Sequence, residues 1–308
     1  MMGYTTPHAR KLYRILSKKA FLFTEMVPSK TLIHSKNKEF IVENNNQNPI
    51  SLQVGGSDYK DLIFSAQYAQ KKLYDEINLN LGCPSKAVQK GSFGACLMKK
   101  KLTVLECLKA MKDHCDIEVT MKCRIGLNNE TSYDFFRDFI GVTTESKIKI
   151  IYVHARHAIL KGLNPKNNRT IPPLNYDYVS RIKKDFPNIQ FILNGGIDNL
   201  NKAYDLSLKF DGVMVGRLIQ NNPFCLTNID EMFYNEQNKN KKTQNIIFEY
   251  FNYIKQKLDQ DSIFRLLSPL LCIFYGVPNS KKFKEEIHNK MKNHQIDQLE
   301  KLFLEFVR

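Results

Sequence analysis

Cysteine motifs that bind zinc or perform thiol–disulfide exchange are missing from this sequence. Its seven cysteines include no pair spaced as Cys-x-x-C, which argues against a zinc ribbon and a thioredoxin-like site. The odd number of cysteines, together with the lack of a secretory signal, indicates reduced thiols. We therefore expect no metal site, and most of the cysteines should be small apolar side chains of the core.

Long hydrophobic runs are also missing. No stretch approaches the ~20 consecutive apolar residues that cross a bilayer. The first residues lack the basic and apolar regions of a secretory signal. We therefore expect a cytoplasmic protein that is monomeric and has no membrane partner. The length of 308 residues suffices for one α/β barrel with a small appended domain.

Acidic residues are scarce relative to basic ones. The chain has 31 Asp and Glu against 46 Lys and Arg, which gives a formal net charge of +15. Such an excess favours a polyanionic partner, most simply nucleic acid. A compositional drift toward Lys, Asn and Ile would produce the same excess, so the charge alone leaves both interpretations open.

The sequence does contain a regular alternation of short apolar segments with longer helical patterns. Seven segments are predicted as strands: residues 20–26, 49–56, 76–82, 118–126, 150–156, 191–197 and 212–217. Apolar residues at helical spacing lie between them, as in residues 58–72 and 102–113. This alternation predicts a parallel α/β sheet, and the length favours a TIM (β/α)8 barrel whose first strand is missing or truncated.

The pattern changes after Pro223. Residues 235–245 are polar and have no apolar period, which is typical of a linker. From residue 246 onward the apolar spacing is helical only. We therefore predict two domains, a catalytic barrel over residues 1–234 and a small all-helical domain over residues 246–308.

Polar or thiol groups follow six of the predicted strands, where barrel enzymes carry their catalytic residues. Cys83 stands between a strand end and Pro84, which would present its thiol as a proton donor or a nucleophile. Lys122 and His154 are candidates to face a ligand. The alternatives remain open for each: a buried structural thiol, a surface lysine and a histidine of the core.

The last two strand ends form a candidate phosphate site. Gly195 and Gly196 would let backbone N–H groups approach an anion, and Arg217 after Gly216 adds a cation that can bind in a bidentate way. Loops after the seventh and eighth strands commonly bind phosphate in this fold. One Gly-Gly pair alone would be an ordinary turn, but the two strand ends together favour phosphate.

Several motifs resemble those of the tRNA-dihydrouridine synthase family. The most specific are EINLNLGCPS at residues 76–85 and GSFGACLM at 91–98. Shorter matches are KCRIG at 122–126, HAR at 154–156, GLNPKNNR at 162–169, IPPL at 171–174, NGGI at 194–197 and GVMVGR at 212–217. The long loop after Cys83 and the segment from Lys166 to Arg169 resemble the A-type branch, which acts on D-loop uridines 20 and 20a.

This resemblance implies a reaction and a set of roles. The family uses FMN as cofactor and NADPH as reductant to reduce the C5=C6 bond of tRNA uridines. By position, the FMN-binding residues would be Met2, Gln53, Lys122, His154, Asn194, Gly195, Gly196, Gly216 and Arg217. The proton donor would be Cys83. The residues that contact tRNA would be Asn80, Lys166, Arg169, Lys281 and Lys284.

Three features depart from the family pattern. Lys86-Ala87 replaces an acidic-basic pair, and Ser268-Pro269 stands where Arg-His is common. Met2 matches the methionine that ends the family's first strand, so that strand has almost no residues here. We therefore expect the working protein to start about ten residues upstream, at an overlooked start codon. The alternative is a truncated gene product of low activity.

Two other functions stay open at this point. One is a flavin barrel oxidoreductase with a small-molecule substrate, against which the helical tail and the net charge argue. The other is a tRNA-binding protein that has lost its flavin, which the retained Cys83 and phosphate site argue against and the missing strand favours.

Overall fold

The structure is a computed structural model that describes residues 2–36, 43–44, 46–236, 242–274 and 280–307. Its contacts divide the chain into two compact units. The first consists of Met1–Met2 and Phe21–Gly216, and the second of Gly3–Ala20 and Arg217–Arg308. None of the helices in the described ranges is long and apolar enough to cross a membrane.

The first unit is built on eight parallel strand segments. They are β1 (Leu22–Phe23), β2 (Val27–Pro28), β3 (Ile50–Gly55), β4 (Glu76–Leu81), β5 (Glu118–Arg124), β6 (Ile150–His154), β7 (Gln190–Asn194) and β8 (Gly212–Met214). The sheet order is β1-β3-β4-β5-β6-β7-β8, and β2 also pairs with β3. Each predicted strand has a counterpart here, with β1 and β2 together occupying the first position, which confirms the α/β barrel prediction.

The sheet does not close into a ring within the described residues. There β1 pairs only with β3, and β8 pairs only with β7. In a closed barrel one more strand would lie between β8 and β1. The described parallel strands therefore form a half-barrel with the strand order of the α/β barrel prediction.

The chain forms fourteen α-helices in the described ranges. They are Pro7–Leu16, Ser29–His34, Tyr59–Lys71, Lys86–Lys90, Lys101–Lys112, Tyr133–Thr144, Tyr176–Asp185, Leu200–Ser207, Arg217–Asn221, Ile229–Tyr234, Thr243–Lys257, Ile263–Leu267, Ser280–Lys292 and Ile296–Phe306. Short 3-10 helices occupy Gly94–Lys99, Asn167–Arg169, Pro223–Asn228 and Ser268–Phe274.

Capping residues fix the turns from strands into helices. The side chains of Asp58, Ser132, Asn175 and Asn199 each accept a hydrogen bond from a backbone N–H in the first turn of the helix that follows. These are the residue types that satisfy the free N–H groups at a helix start. Every side chain of β4 is buried, as expected for a parallel strand covered on both faces.

The second unit is all-helical and has its own aromatic core. Tyr250, Phe251, Phe274 and Phe303 are fully buried, and the rings of Phe274 and Phe303 lie 5.2 Å apart. The helix Pro7–Leu16 belongs to this unit: His8 contacts Tyr253 Oη at 2.7 Å and Asp261 Oδ2 at 3.0 Å.

This division differs from the boundaries predicted from the sequence, which gave residues 1–234 to the barrel. Residues 3–20 and 217–234 lie in the helical unit because they pack against its helices, which no local sequence pattern reveals. The predicted linker 235–245 falls partly outside the described residues. The roles assigned to the two domains stay predictions.

Candidate active site at the carboxyl ends of the strands

A chain of polar side chains crosses the interior of the sheet. Gln53 Nε2 donates to Asn78 Oδ1 at 2.9 Å, and Asn80 Nδ2 donates to Gln53 Oε1 at 2.9 Å. The strand register places Gln53, Asn78 and Thr120 side by side on β3, β4 and β5. Two predicted site residues, Gln53 and Asn80, are thereby brought into direct contact.

Asn80 also shapes the turn that carries Cys83. Its Oδ1 accepts hydrogen bonds from the backbone N–H groups of Gly82 at 3.1 Å and Cys83 at 3.0 Å. The Cys83 Sγ is half-buried and lies 3.6 Å from Ser85 Oγ. A thiol at this turn, beside an amide already in contact with Gln53, is well placed to transfer a proton to a ligand held there.

The loop after Cys83 folds back onto the same strand ends. Ala95 N donates to Cys83 O at 3.0 Å. Gly94 adopts a φ of +75°, and a Cβ there would lie 2.7 Å from Cys83 O. Only glycine accommodates both the positive φ and this close approach. The backbone at Cys83 is therefore fixed from both sides.

Lys122 is the predicted cation of the site. It is partly buried, and it forms no hydrogen bond or ion pair with any residue that the structure describes. Burial, and secondly the charge of Arg124, lower the pKa of Lys122 from 10.5 to about 8. A partly desolvated cation without a counter-charge provides a binding position for an anion.

The predicted phosphate turn lies against His154. Register places His154 on β6 beside Asn194 on β7, and Asn194 Nδ2 donates to Met214 O of β8 at 2.7 Å. Gly195 has a φ of +113°, and a Cβ there would lie 2.6 Å from His154 Cδ2. Position 195 of this turn therefore requires glycine. Because glycine has no side chain, no Cβ covers the backbone N–H at this position.

A cation that the sequence analysis missed stands at this turn. Lys202 Nζ, on the helix Leu200–Ser207, donates to Gly196 O at 2.6 Å. The only feature of the sequence that points to Lys202 is its position, six residues after Gly196 and near the start of the following helix. Gly196 itself has a φ of +66°.

Three predicted cofactor-binding residues lie at the ends of the first unit or beyond it. Arg217 is the first residue of the helix Arg217–Asn221, which belongs to the helical unit, and Gly216 is the last residue of the barrel unit. Met2 is 66% exposed. Their predicted roles stay predictions.

Three arginines form a second basic group near the site. Burial, together with the charges of Arg169 and Arg156, lowers the pKa of Arg124 from 12.5 to about 10. Arg124 donates to the backbone oxygens of Gly82 at 3.2 Å and Asn168 at 3.0 Å. Arg156 donates to the carbonyls of Thr170 and Pro172.

The sequence holds a signal for two of these arginines. Arg124 and Arg156 follow Lys122 and His154 by two residues, which is the spacing of side chains on one face of a strand. From the sequence, Arg156 and His154 were interpreted as a pair that faces a ligand, whereas Arg124 was given no role and neither arginine was counted among the site residues. Arg169 was predicted to contact tRNA.

Asn168 holds the predicted tRNA-contact segment in place. Its side chain is fully buried, accepts from Ile159 N at 2.7 Å and donates to Ile159 O at 2.9 Å. The neighbouring Lys166 is exposed and Arg169 is partly buried. The segment is thus rigidly anchored while Lys166 reaches the solvent.

The two remaining predicted tRNA contacts lie on the helix Ser280–Lys292. Lys281 and Lys284 line a surface depression there with His288 and Asn289, and Glu285 is the acidic residue among them. Lys281 lies 3.9 Å from Glu285, and both side chains are largely exposed. No group of His, Cys, Asp or Glu in the described ranges is arranged to hold a metal ion.

Comparisons with known proteins agree with the motifs. The family described as Dihydrouridine synthase (Dus) matches residues 1–307. The tRNA-dihydrouridine(20/20a) synthase of Vibrio vulnificus (strain CMCP6) is 38% identical over 289 residues, 93% of this chain and 88% of that protein. The protein of the same name from Vibrio cholerae serotype O1 (strain ATCC 39315 / El Tor Inaba N16961) is 40% identical with the same coverage.

Solved structures show the same architecture at low sequence identity. Histamine dehydrogenase from Rhizobium sp. 4-9 matches with a TM-score of 0.50 and 12% identity, over 75% of this chain and 44% of that chain. That match supports the fold alone. The family match and the curated relatives go further and confirm the resemblance seen in the motifs: the chain belongs to the dihydrouridine synthase family.

Proposed function

We propose that this protein reduces uridines 20 and 20a of the tRNA D-loop to dihydrouridine, with FMN as cofactor and NADPH as reductant. The observation that carries the proposal is Lys122, a cation without a partner among the described residues, on the strand beside Asn80 and close to Cys83. Because tRNA is the substrate, we propose the cytoplasm as the place of action.

The residues present fit a flavin mononucleotide. Its phosphate needs backbone N–H groups and cations, and the turn Asn194–Gly196 offers backbone N–H groups at two glycines, which carry no Cβ. Arg217 would add a charge-assisted contact. Lys122 would bind the ring system where negative charge accumulates on reduction, and Gln53 and His154 would complete the contacts.

FMN, once reduced, would supply hydride to C6 of the uracil ring. The other steps fall to side chains of this chain. Cys83 would give the proton to C5, because hydride addition at C6 leaves negative charge that C5 relieves by protonation. Asn80 fixes the turn of Cys83 and would donate a hydrogen bond to the base.

The target uridine must leave the folded tRNA to enter such a site. Enzymes that act on a base offset the free-energy cost of this extrusion with contacts to the surrounding nucleic-acid backbone. Lys166, Arg169, Lys281 and Lys284 would supply phosphate contacts, and the net charge of +15 adds long-range attraction.

The test compares Cys83→Ala with Cys96→Ala in the full chain. Both thiols are half-buried, and Cys96 Sγ donates to the carbonyl of Phe93 instead of facing the strand ends. Each variant should keep the absorption of bound flavin and still oxidise NADPH. Cys83→Ala should lose dihydrouridine formation by at least about 10²-fold, the usual worth of a general acid, while Cys96→Ala keeps it.

Two results would contradict the proposal at different points. Normal product formation by Cys83→Ala would remove Cys83 from the proton-donor role. A wild-type protein that binds no flavin, or that reduces only small molecules and leaves tRNA unchanged, would reject the assigned reaction.

A further inference from the structure

The hydrogen-bonded chain of the barrel interior continues past the predicted site residues. Asn78 Nδ2 donates to Thr120 Oγ1 at 2.7 Å, and Thr120 Oγ1 donates to Glu76 Oε1 at 2.8 Å. Tyr152 Oη donates to Glu76 Oε2 at 3.0 Å. Glu76, Asn78, Thr120 and Tyr152 are all at most 7% exposed, and none of them was predicted to have a role.

The Asn80 end of this hydrogen-bonded chain of side chains fixes which side chain donates to which. Asn80 Oδ1 faces the backbone N–H groups of Gly82 and Cys83, which can only donate. The amide oxygen of Asn80 must therefore face them, and its NH2 group must face Gln53. Gln53 then presents its oxygen to Asn80 and its NH2 group to Asn78.

The Glu76 end of the hydrogen-bonded chain is compatible with the same direction. An ionised Glu76 only accepts, so the Thr120 hydroxyl donates to it and must itself accept from the Asn78 NH2 group. If Glu76 is protonated, its single proton can be donated to the Tyr152 oxygen, because a phenol both donates and accepts. Glu76 Oε1 then still accepts from Thr120.

We infer that Thr120 and Asn78 are positioning residues that hold the Gln53 amide in one orientation. In that orientation Gln53 and Asn80 each keep one N–H outside the chain of hydrogen bonds, since each NH2 group has two donors and uses one. The spare N–H of Gln53 and Lys122 then present donors to the bound group, which suits a cofactor that gains negative charge on reduction, while the spare N–H of Asn80 stays available to the base. This inference rests on the proposed function for the identity of that group.

The reverse orientation is excluded by the same contacts. A flipped Gln53 would turn the Asn80 NH2 group toward the N–H groups of Gly82 and Cys83, so donors would face donors. Buried donors without acceptors are strongly disfavoured. Without the Thr120 hydroxyl, however, Asn78 loses one of its two anchors, and the orientation of Gln53 is held from the Asn80 side only.

The test uses three variants of the full chain and FMN as the probe. Thr120→Val removes the hydroxyl and keeps the shape, whereas Thr120→Ser keeps the hydroxyl. Thr143→Val is the matched control, because Thr143 is also fully buried and its hydroxyl donates only to Ile140 O of its own helix. FMN affinity is measured by fluorescence titration of the apoprotein, and stability by thermal unfolding.

Thr120→Val should weaken FMN binding by about tenfold, the worth of one well-oriented hydrogen bond. At saturating FMN it should also change the visible absorption envelope of the bound flavin. Thr120→Ser and Thr143→Val should bind within about twofold of wild type, although Thr143→Val will unfold at a lower temperature.

An unchanged affinity and spectrum in folded Thr120→Val would overturn the inference, and so would an equal loss in Thr143→Val. If Thr120→Val does not fold, neutron diffraction of the wild-type protein decides, because it shows the amide protons directly. Amides of Gln53 and Asn78 in the reverse orientation would refute the inference. That measurement does not depend on FMN, so a wild type that binds no flavin would reject the proposed function alone.

Discussion

Replacement of Lys122 by Met should make the apoprotein more stable while it impairs the site. Burial, and secondly the charge of Arg124, lower the pKa of Lys122 from 10.5 to about 8. At about 1.4 kcal/mol per pKa unit, this means that a charged Lys122 costs about 3 kcal/mol at neutral pH. Because the side chain is partly exposed, solvent screens part of this cost, and we expect a cost of about 1–3 kcal/mol.

The sign of the pH dependence follows from the coupling between proton binding and folding. The pKa of Lys122 is lower in the folded state, so the folded protein binds this proton less readily than the unfolded chain does. The penalty is therefore fully present below pH 8, decreases between pH 8 and the unfolded value of 10.5, and is absent above it. Lys122→Met removes the penalty and keeps a side chain of similar length.

The assay is chemical denaturation of the apoprotein at pH 7 and at pH 10. The free energy of unfolding of Lys122→Met should exceed that of wild type by about 1–3 kcal/mol at pH 7, with a smaller difference at pH 10. Lys149→Met serves as the control, since Lys149 is exposed and precedes β6. FMN affinity and dihydrouridine formation should both fall by at least about tenfold in Lys122→Met only.

A variant that is less stable than wild type at pH 7 would refute this reasoning, because it would mean that Lys122 has a stabilising partner. Unchanged FMN affinity would separately remove Lys122 from the binding site.

Three further predictions concern other charged groups. Burial raises the pKa of Glu76 from 4.5 to about 7, so its stabilising contribution is complete below pH 4.5 and is lost as the pH rises to 7. Glu76→Gln should therefore gain about 3 kcal/mol relative to wild type between pH 4 and pH 8 in denaturation experiments, and no change with pH would contradict the assignment. Arg217→Ala should weaken FMN binding about tenfold or more, measured by flavin retention on desalting, and full retention would count against a phosphate contact. The affinity for tRNA should fall steeply with salt, and Lys281→Ala or Lys284→Ala should each lower that slope by about one unit while Lys109→Ala, on the helix Lys101–Lys112, leaves it unchanged.

The sequence was sufficient to predict the strands and the most chemically distinctive residues of the site. Short apolar or alternating runs, most of them closed by Gly or a polar residue, predicted the strands, because buried parallel strands need apolar side chains on both faces. The assignment of residues 3–20 to the helical unit could not be predicted from the sequence. The helix Pro7–Leu16 joins the helical unit through His8, Tyr253 and Asp261, and contacts between residues more than 240 positions apart leave no local pattern.

The same distinction explains which site residues were missed. Cys83, Lys122 and Gly195 could be predicted as site residues because their chemistry is evident from residue type and from their place at a strand end. Thr120 is a common residue in a strand, and it matters only because the register of β4 and β5 places it beside Asn78 and within reach of Glu76. Side chains proposed to act directly on a ligand can thus be predicted from the sequence, whereas side chains proposed to orient them depend on strand register and are recognised only in the folded structure. The Thr120 variants test this division, since they change no residue that would touch the cofactor.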